Sequence, residues 1–589
     1  MGQRTAPGGG THDRPPQARD FGWDDGLYAG APDAPPPPPA DRPDGSGAAG
    51  GTGGDGGRAR TPSSGTARRG RRPGGDGGAG GAGGGRGRPG GEGAGGRRPG
   101  RGTRILRWTA LAAAVLILGT AGAGYLYYEH LNGNLTRKPL TLGGNQLKHR
   151  QNADGQTPVN ILLLGSDSRN SARNVELGGA RDEVGRKPLA DVQMLLHLSA
   201  DRSSISVLSI PRDTRVTIPE CTDPEDGTVH PQTVGKINTS LQHGGPGCTV
   251  ATWTELTGIP VDHFMMIDFA GVVDMADAVG GVPVCVRANV HDANSGLRLE
   301  EGETTVQGEQ ALQWLRTRYG FGDGTDIGRA KAQHMYMNSM VRRLKAGSKL
   351  TDPGKLRKLA EAATEALTVD DGIKGVKDLY DLAGELRKVP TRRITMATMP
   401  WEYADGGRYV VPKPGEAEQV FSLIRNDVAL DGKDPAPGKD TAARTRDPAA
   451  PGERIAVRVL NGTRTATLGP VNGRAGAVTA ELHRLGFTLA AAERTEAPQA
   501  DTTLVYPGED LHGDALAVAE AVGLPERAVR QSAGVEEITL VVGADWREGA
   551  AYPARRGKPG GGERKAPESA DVLGGEDRDC MDVNPRYTW

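Results

Sequence analysis

Arg316 and Arg318 stand two apart in the stretch RTRYGFGDGTDIGRAKAQ, the spacing that turns both side chains to one face of an extended segment. Asp326, Arg329 and Gln333 follow at i, i+3 and i+7, one face of a helix predicted to begin near Asp326. Three arginines, an acid and an amide thus converge from two elements joined by a Gly-rich turn, a set suited to holding an anion. Farther upstream, VNILLLG runs into SDSR and places Asp167 and Arg169 just past an apolar strand. SISVLSIP runs into RDTR and places Arg212, Asp213 and Arg215 in the same way, while Asp191 opens another strand and Lys236 lies beyond. Charges that abut strongly apolar strands are costly unless paired or bound to an ion. Guanidinium forks match phosphate oxygens, and two carboxylates offer the hard oxygen ligands that Mg²⁺ prefers. A pyrophosphate with Mg²⁺ is the ligand that uses both sets, although a solvated loop charge or a structural ion pair accounts for any one of these residues alone.

Such groups need a rigid frame. From 158 the chain reads as short apolar runs ending in polar clusters: 159–165, 191–199, 204–211, 263–269 and 282–287 as strands. Helical patterns at 248–257, 270–279, 308–316, 327–345 and 353–368 lie between or after them. The alternation predicts a layered α/β domain over 158–426, and loops at strand ends are where such domains collect ligands. A Pro-, Asp- and Gly-rich linker at 427–453 leads to a smaller βαβαβ unit, 454–546, with strands at 455–462, 502–508 and 537–543 and helices at 470–485 and 512–523. Beyond it, 547–589 returns to Gly, Pro and charge and is expected to be disordered.

The 589 residues include 89 Gly and 41 Pro, and the glycine crowds the region before 104. That composition buries too little apolar surface to offset ordering, so 1–104 is expected to be a disordered tail. Between 58 and 107 there are 13 arginines against Asp76 and Glu92, and the uncharged segment Trp108–Tyr128 follows directly. As a helix it would span ~30 Å, a bilayer core, so 105–128 is expected to be a transmembrane helix and 129–157 a stalk. The arginines should hold the N-terminus in the cytoplasm and place the rest outside a cell membrane crossed once. A cleaved signal peptide ending at Ala121–Ala123 would need an unusually long n-region. An RNA-binding Arg/Gly tail is the other reading of the basic run, but beside a membrane span topology and anionic headgroups explain it, and no nucleic-acid partner is expected. Cys221, Cys248, Cys285 and Cys580 show no zinc-knuckle spacing; a pair such as Cys221–Cys248 would close a short loop in an oxidising compartment, with free thiols the alternative.

The ordered series NILLLGSDSR, DVQMLLHL, LSIPRDTRV, KINTSLQHGGP, LTGIPVDHFMMIDFAGVVDMADAVGGVPV, VQGEQALQWLRTR and DIGRAKAQ, spanning 158–345, resembles the LytR-CpsA-Psr family of cell-wall proteins. VRVLNGT and ITLVVGAD in the second unit resemble the LytR C-terminal domain of actinobacterial members. The resemblance implies an α/β/α core with a mixed central sheet and an apolar tunnel for a polyprenyl tail, which the apolar runs could line or simply pack as core. It implies a phosphotransferase that moves a glycopolymer from a polyprenyl-pyrophosphate carrier to the muramic acid 6-hydroxyl of peptidoglycan, with Mg²⁺ or Mn²⁺ as cofactor. The metal-binding carboxylates fall on Asp167 and Asp191, and the pyrophosphate-binding cations on Arg212, Lys236, Arg316, Arg318 and Arg329. Gln333 assists and Asp326 orients the arginines, with Arg169 and Asp213 beside them. Asp167, Asp191, Arg212, Arg316, Arg318 and Arg329 are the expected catalytic set, and Asp191 or Asp167 would take the hydroxyl proton. In the family pattern D-x-G-R-x-x-R-Q a further arginine stands where this chain has Ala332, so one anion contact is expected to be missing. A polyprenyl-pyrophosphate pyrophosphatase and a non-catalytic polyprenyl-phosphate or wall-binding regulator are the alternative functions.

Overall fold

The computed structural model describes residues 101–140, 147, 149, 152, 155–169, 171–178, 185–346, 353–434, 449–464, 468–499, 501–532, 534–553 and 564–589. The expected disordered tail therefore falls outside the described residues up to 100, as does most of the expected linker. The chain divides into two units, Met1–Gly119 and Thr120–Trp589. Of the first, the described residues are helical, part of the helix Arg101–Asn134. Its stretch Ile105–Asn134 is long and apolar enough to cross a membrane, and its large apolar side chains, Leu111 and Leu116 among them, are exposed.

Among the described residues an eight-stranded sheet forms the centre of the second unit. Its order is Thr136–Lys138, Leu367–Asp370, His263–Ile267, Val159–Ser166, Ala190–Leu198, Ile205–Ser209, Ile394–Thr398 and Leu573–Gly574. Val159–Ser166 runs parallel to His263–Ile267 and antiparallel to Ala190–Leu198, so the sheet is mixed. Period-2 alternation sends the side chains of Ala190–Leu198 to two cores. Leu195 joins Leu162, Leu164 and Leu208 under Trp253 and Phe421, from the helices Ser240–Thr257 and Glu416–Arg425. Met194 and Leu198 face the other way with Val207 and Met396, toward Met335, Met337, Val341 and Leu386 of the helices Asp326–Ala346 and Val376–Lys388. These are the three expected layers. Each fully buried large side chain, such as Trp253, contributes about 2–3 kcal/mol by leaving water.

Three boundaries differ from the sequence expectation. The expected stalk contributes the edge strand Thr136–Lys138, which pairs with Leu367–Asp370. The first residues of the expected linker belong to the domain: Asp427 meets buried His197 at 3.0 Å, and Asp431 meets Arg393 at 2.6 Å. Residues 564–589, expected to be disordered, instead fold onto the domain. Leu573–Gly574 adds a strand beside Ile394–Thr398, and a disulfide joins Cys580 to Cys285. Cys221 pairs with Cys248, the pair whose spacing suggested a short loop.

The smaller unit has its own core around Val457, Leu482, Leu540 and Trp546. Its sheet runs Leu489–Glu496, Ala456–Asn461, Ile538–Val542, Thr503–Tyr506 and Val529–Gln531, packed by the helices Arg474–Arg484 and His512–Val522. The first and last of these strands go beyond the βαβαβ pattern. Leu489–Glu496 is an almost wholly exposed edge rich in Ala and charge, so no apolar alternation marks it.

Candidate active site

Asp326 opens its helix, where a negative charge is favoured by the unpaired N–H groups of the first turn. Three guanidinium groups surround its carboxylate: Arg212 at 3.2 Å, Arg329 at 3.2 Å and Arg318 at 3.3 Å. Burial opposes its charge, yet the three arginines outweigh burial and hold the carboxyl well below the usual carboxylate range. The turn before it comes close enough for this only because residue 328 is Gly; a Cβ there would lie 2.9 Å from the Phe321 carbonyl. Gly322 and Gly324 adopt φ of 53° and 82°, which bends the chain between Arg318 and Asp326.

Arg212 extends the network across the site. It donates to Asp191 at 3.3 Å and lies 3.7 Å from Asp213, whose other oxygen meets Lys236 at 2.6 Å. Asn238 donates to Asp191 at 3.3 Å. That segment is fixed by Gln193, which donates to the Ile237 carbonyl at 3.2 Å and accepts from the Trp253 indole at 2.6 Å. Burial disfavours the Asp191 charge, but Arg212 and Arg329 more than offset it and lower its pKa.

Asp167 is different. It is buried, accepts from the Leu189 backbone at 2.6 Å and from Arg186 at 2.5 Å, and yet its pKa is raised, by burial first and then by the like charge of Asp191. A mirror-image conflict occurs among the cations. Arg316 and Arg169 both donate to the carbonyl of Gly178, each at 3.3 Å, and Arg316 also donates to Leu177 at 2.8 Å. Burial and then the neighbouring Arg169 lower the Arg316 pKa. Two acids and two arginines are therefore each held beside a group of their own sign.

The sequence set is thus brought into one region in two parts. Asp191, Arg212, Asp213, Lys236, Arg318, Asp326 and Arg329 form a continuous ion-pair network, while Asp167, Arg169 and Arg316 stand at its margin, anchored chiefly to backbone. Gln333 donates to the Leu315 carbonyl at 3.1 Å and lines the same narrow cleft as Asp191, Arg212 and Arg329. Ala332 does not face the arginines as the family pattern suggested. It is fully buried beside Trp314, Phe321 and Tyr336, and the Trp314 indole donates to its carbonyl at 3.0 Å, so an arginine here would enter a packed core. Sequence reasoning passed over Arg186, which lies in an aperiodic run, and Asn238, two residues past Lys236 in a motif already singled out. Among the described residues no group of three or more His, Cys, Asp or Glu side chains could hold a metal; the Asp167–Asp191 pair falls below that count.

A mixed sheet between helix layers, with charged loops gathered at one end, defines a layered α/β domain of the kind the motifs predicted. Residues 128–425 match the LytR_cpsA_psr family, and residues 454–546 match the family described as LytR cell envelope-related transcriptional attenuator. The chain belongs to the LytR_cpsA_psr family. It is 28% identical over 471 residues to the cell wall biosynthesis protein LcpA of Corynebacterium glutamicum, covering 75% of this chain and 86% of that one. It is 30% identical over 297 residues to the polyisoprenyl-teichoic acid–peptidoglycan teichoic acid transferase TagU of Halalkalibacterium halodurans, covering 49% and 88%. A solved LytR-Csp2A-Psr enzyme from Actinomyces oris aligns over 48% of this chain and 96% of its own, at 22% identity and a TM-score of 0.35.

Proposed function

We propose that the protein is a transferase that attaches a glycopolymer to peptidoglycan, taking it from a polyprenyl-pyrophosphate carrier. The family and the activities named for its relatives support the polymer and the acceptor. The carrier rests on one observation: Arg169 with Arg316 and Asp167 with Asp191 are like-charge neighbours of opposite sign in one site. A pyrophosphate accompanied by a divalent cation relieves both conflicts together. The cleft also borders Val192 and Met194, which continue into the layer of half-buried apolar side chains between sheet and helices, a course suited to a prenyl tail.

In this reading Asp167 and Asp191 would hold Mg²⁺, which would supply positive charge to the phosphates. Arg212, Arg318 and Arg329, ordered by Asp326, bind the pyrophosphate and neutralise charge on the departing polyprenyl phosphate. Arg316 and Arg169 close the opposite side. The muramic acid 6-hydroxyl forms the new P–O bond, the bond to the carrier phosphate breaks, and the hydroxyl proton passes to one of the two acids, Asp167 being the one whose charge its surroundings disfavour. The helix Arg101–Asn134 anchors the enzyme in a membrane, with the basic N-terminal run inside and the catalytic domain outside. Reconstituted transfer from a lipid-linked donor to peptidoglycan tests the proposal. Arg316→Ala and Asp191→Ala should each abolish it, and wild-type rates for both would overturn it. Release of free glycan phosphate in the presence of peptidoglycan would instead identify a pyrophosphatase.

A further inference from the structure

The turn between Arg318 and Asp326 is fastened by a segment that lies outside both matched regions. The Gly322 amide donates to the Asp582 carbonyl at 2.8 Å, and the Asn584 amide donates to the Gly320 carbonyl at 3.0 Å. The Asn584 side chain donates to the Tyr319 carbonyl at 2.9 Å, and Val583 bridges Phe321. Tyr587 stacks on Tyr319 with ring centroids 6.3 Å apart and planes at 13°, while the Arg318 guanidinium lies 5.3 Å from the Tyr319 ring centroid. Backbone and rings thus form a continuous line from residues 582–587 to the arginine that meets Asp326.

We propose that residues 582–589 are positioning residues for pyrophosphate binding, a role that rests on the proposed function above: they hold the 319–322 turn so that Arg318 is aligned with Asp326 before the anion arrives. Removing 582–589 leaves the Cys285–Cys580 disulfide intact, so loss of the strap is separable from loss of the cross-link. Farnesyl pyrophosphate is the probe. In the full chain the truncation should weaken its binding about 10-fold, since small misplacements of a charged group are costly. In an Arg318→Ala background it should weaken binding little further, because the effect runs through that side chain. Tyr587→Ala should reproduce part of the loss, and Tyr587→Phe should restore it. Equal weakening in both backgrounds, or none in either, would overturn the inference. If the unaltered protein does not bind farnesyl pyrophosphate, the functional reading fails instead, and amide exchange judges the strap: truncation should speed exchange at Gly322, and an unchanged rate would refute it.

A different feature carries a second inference. The hairpin of Trp401–Ala404 and Tyr409–Pro412 is fixed to the loop bearing Arg212, for the Val410 amide donates to the Asp213 carbonyl at 3.2 Å and Val410 bridges Thr214. Opposite Val410 stands Tyr403, 52% exposed, its ring edge-on to Trp401 at 4.9 Å between centroids. We infer that the open face of Tyr403 packs against the sugar joined to the pyrophosphate, again given the proposed function. Tyr403→Ala should weaken binding of undecaprenyl-pyrophosphoryl-N-acetylglucosamine roughly 3- to 10-fold and leave farnesyl pyrophosphate unaffected, with Tyr403→Trp retaining both. Equal losses for the two ligands, or no loss for the sugar-bearing one, would overturn it. No binding of farnesyl pyrophosphate by the unaltered protein would count against the functional reading rather than against Tyr403.

Discussion

The two halves of the site solve opposite electrostatic problems. Around Asp326 one carboxylate is enclosed by three arginines, so its charge is satisfied without any ligand. Around Asp167 one arginine and one backbone N–H face a carboxylate that must also tolerate Asp191. The first half is a finished scaffold that keeps cations in place; the second is left short of positive charge. The difference lies in how each charge is met: the Asp326 carboxylate is saturated by its arginines, whereas burial and Asp191 disfavour the charge of Asp167.

The sharpest way to break this contrast is Asp326→Ala. It leaves Arg212, Arg318 and Arg329 crowded without their counter-ion, so denaturant unfolding should show a loss of ~3–5 kcal/mol, and transfer should disappear. Asp167→Asn should do the reverse. Transfer should fall at least ~10²-fold, while unfolding stability changes by less than ~1 kcal/mol, since burial and Asp191 already disfavour the charge that the substitution removes. A comparable stability loss in both variants would erase the distinction.

His334, one residue past Gln333, calibrates how dry the helix interior is. Burial lowers its pKa to about 4. The unfolded chain takes up the proton first, near pH 6.5, so stability should hold above that pH and decline as pH falls toward 4, by about 2–3 kcal/mol. His334→Leu should abolish that slope in pH-dependent unfolding. A smaller effect is expected of Mg²⁺ on the thermal midpoint. At ten times its Kd it should stabilise the protein by ~1.4 kcal/mol, less as acid protonates Asp167, and not at all in Asp167→Asn. An equal Mg²⁺ shift in both proteins would place the ion elsewhere.

Much of this was legible in advance. The i, i+3 spacing put Arg329 on Asp326, and strand-end placement put Arg212 and Asp191 at one sheet end, because helix and strand periodicities are local and strong. Ala332 could be read only as a gap in a pattern; its burial beside Trp314 depends on a packing partner that spacing does not reveal. Arg186 and the strap were invisible for a related reason. EDRDCMDVNPRY has no apolar period, and it is ordered by a disulfide and by backbone hydrogen bonds to residues nearly 300 positions away. Composition measures what a segment can bury by itself, so it misreads one that borrows another segment's edge.

The separation of 295 residues between Cys285 and Cys580 also sets an order of assembly. The larger domain cannot seal its sheet edge or brace its anion-binding turn until the whole of the smaller module has been synthesised behind it. A chain interrupted before residue 564 would carry the arginines and acids of the site, yet lack the segment that fastens the turn beside Arg318. Folding of the larger domain is thereby coupled to synthesis of the smaller one, which lies in sequence between the two cysteines of the larger domain's own cross-link.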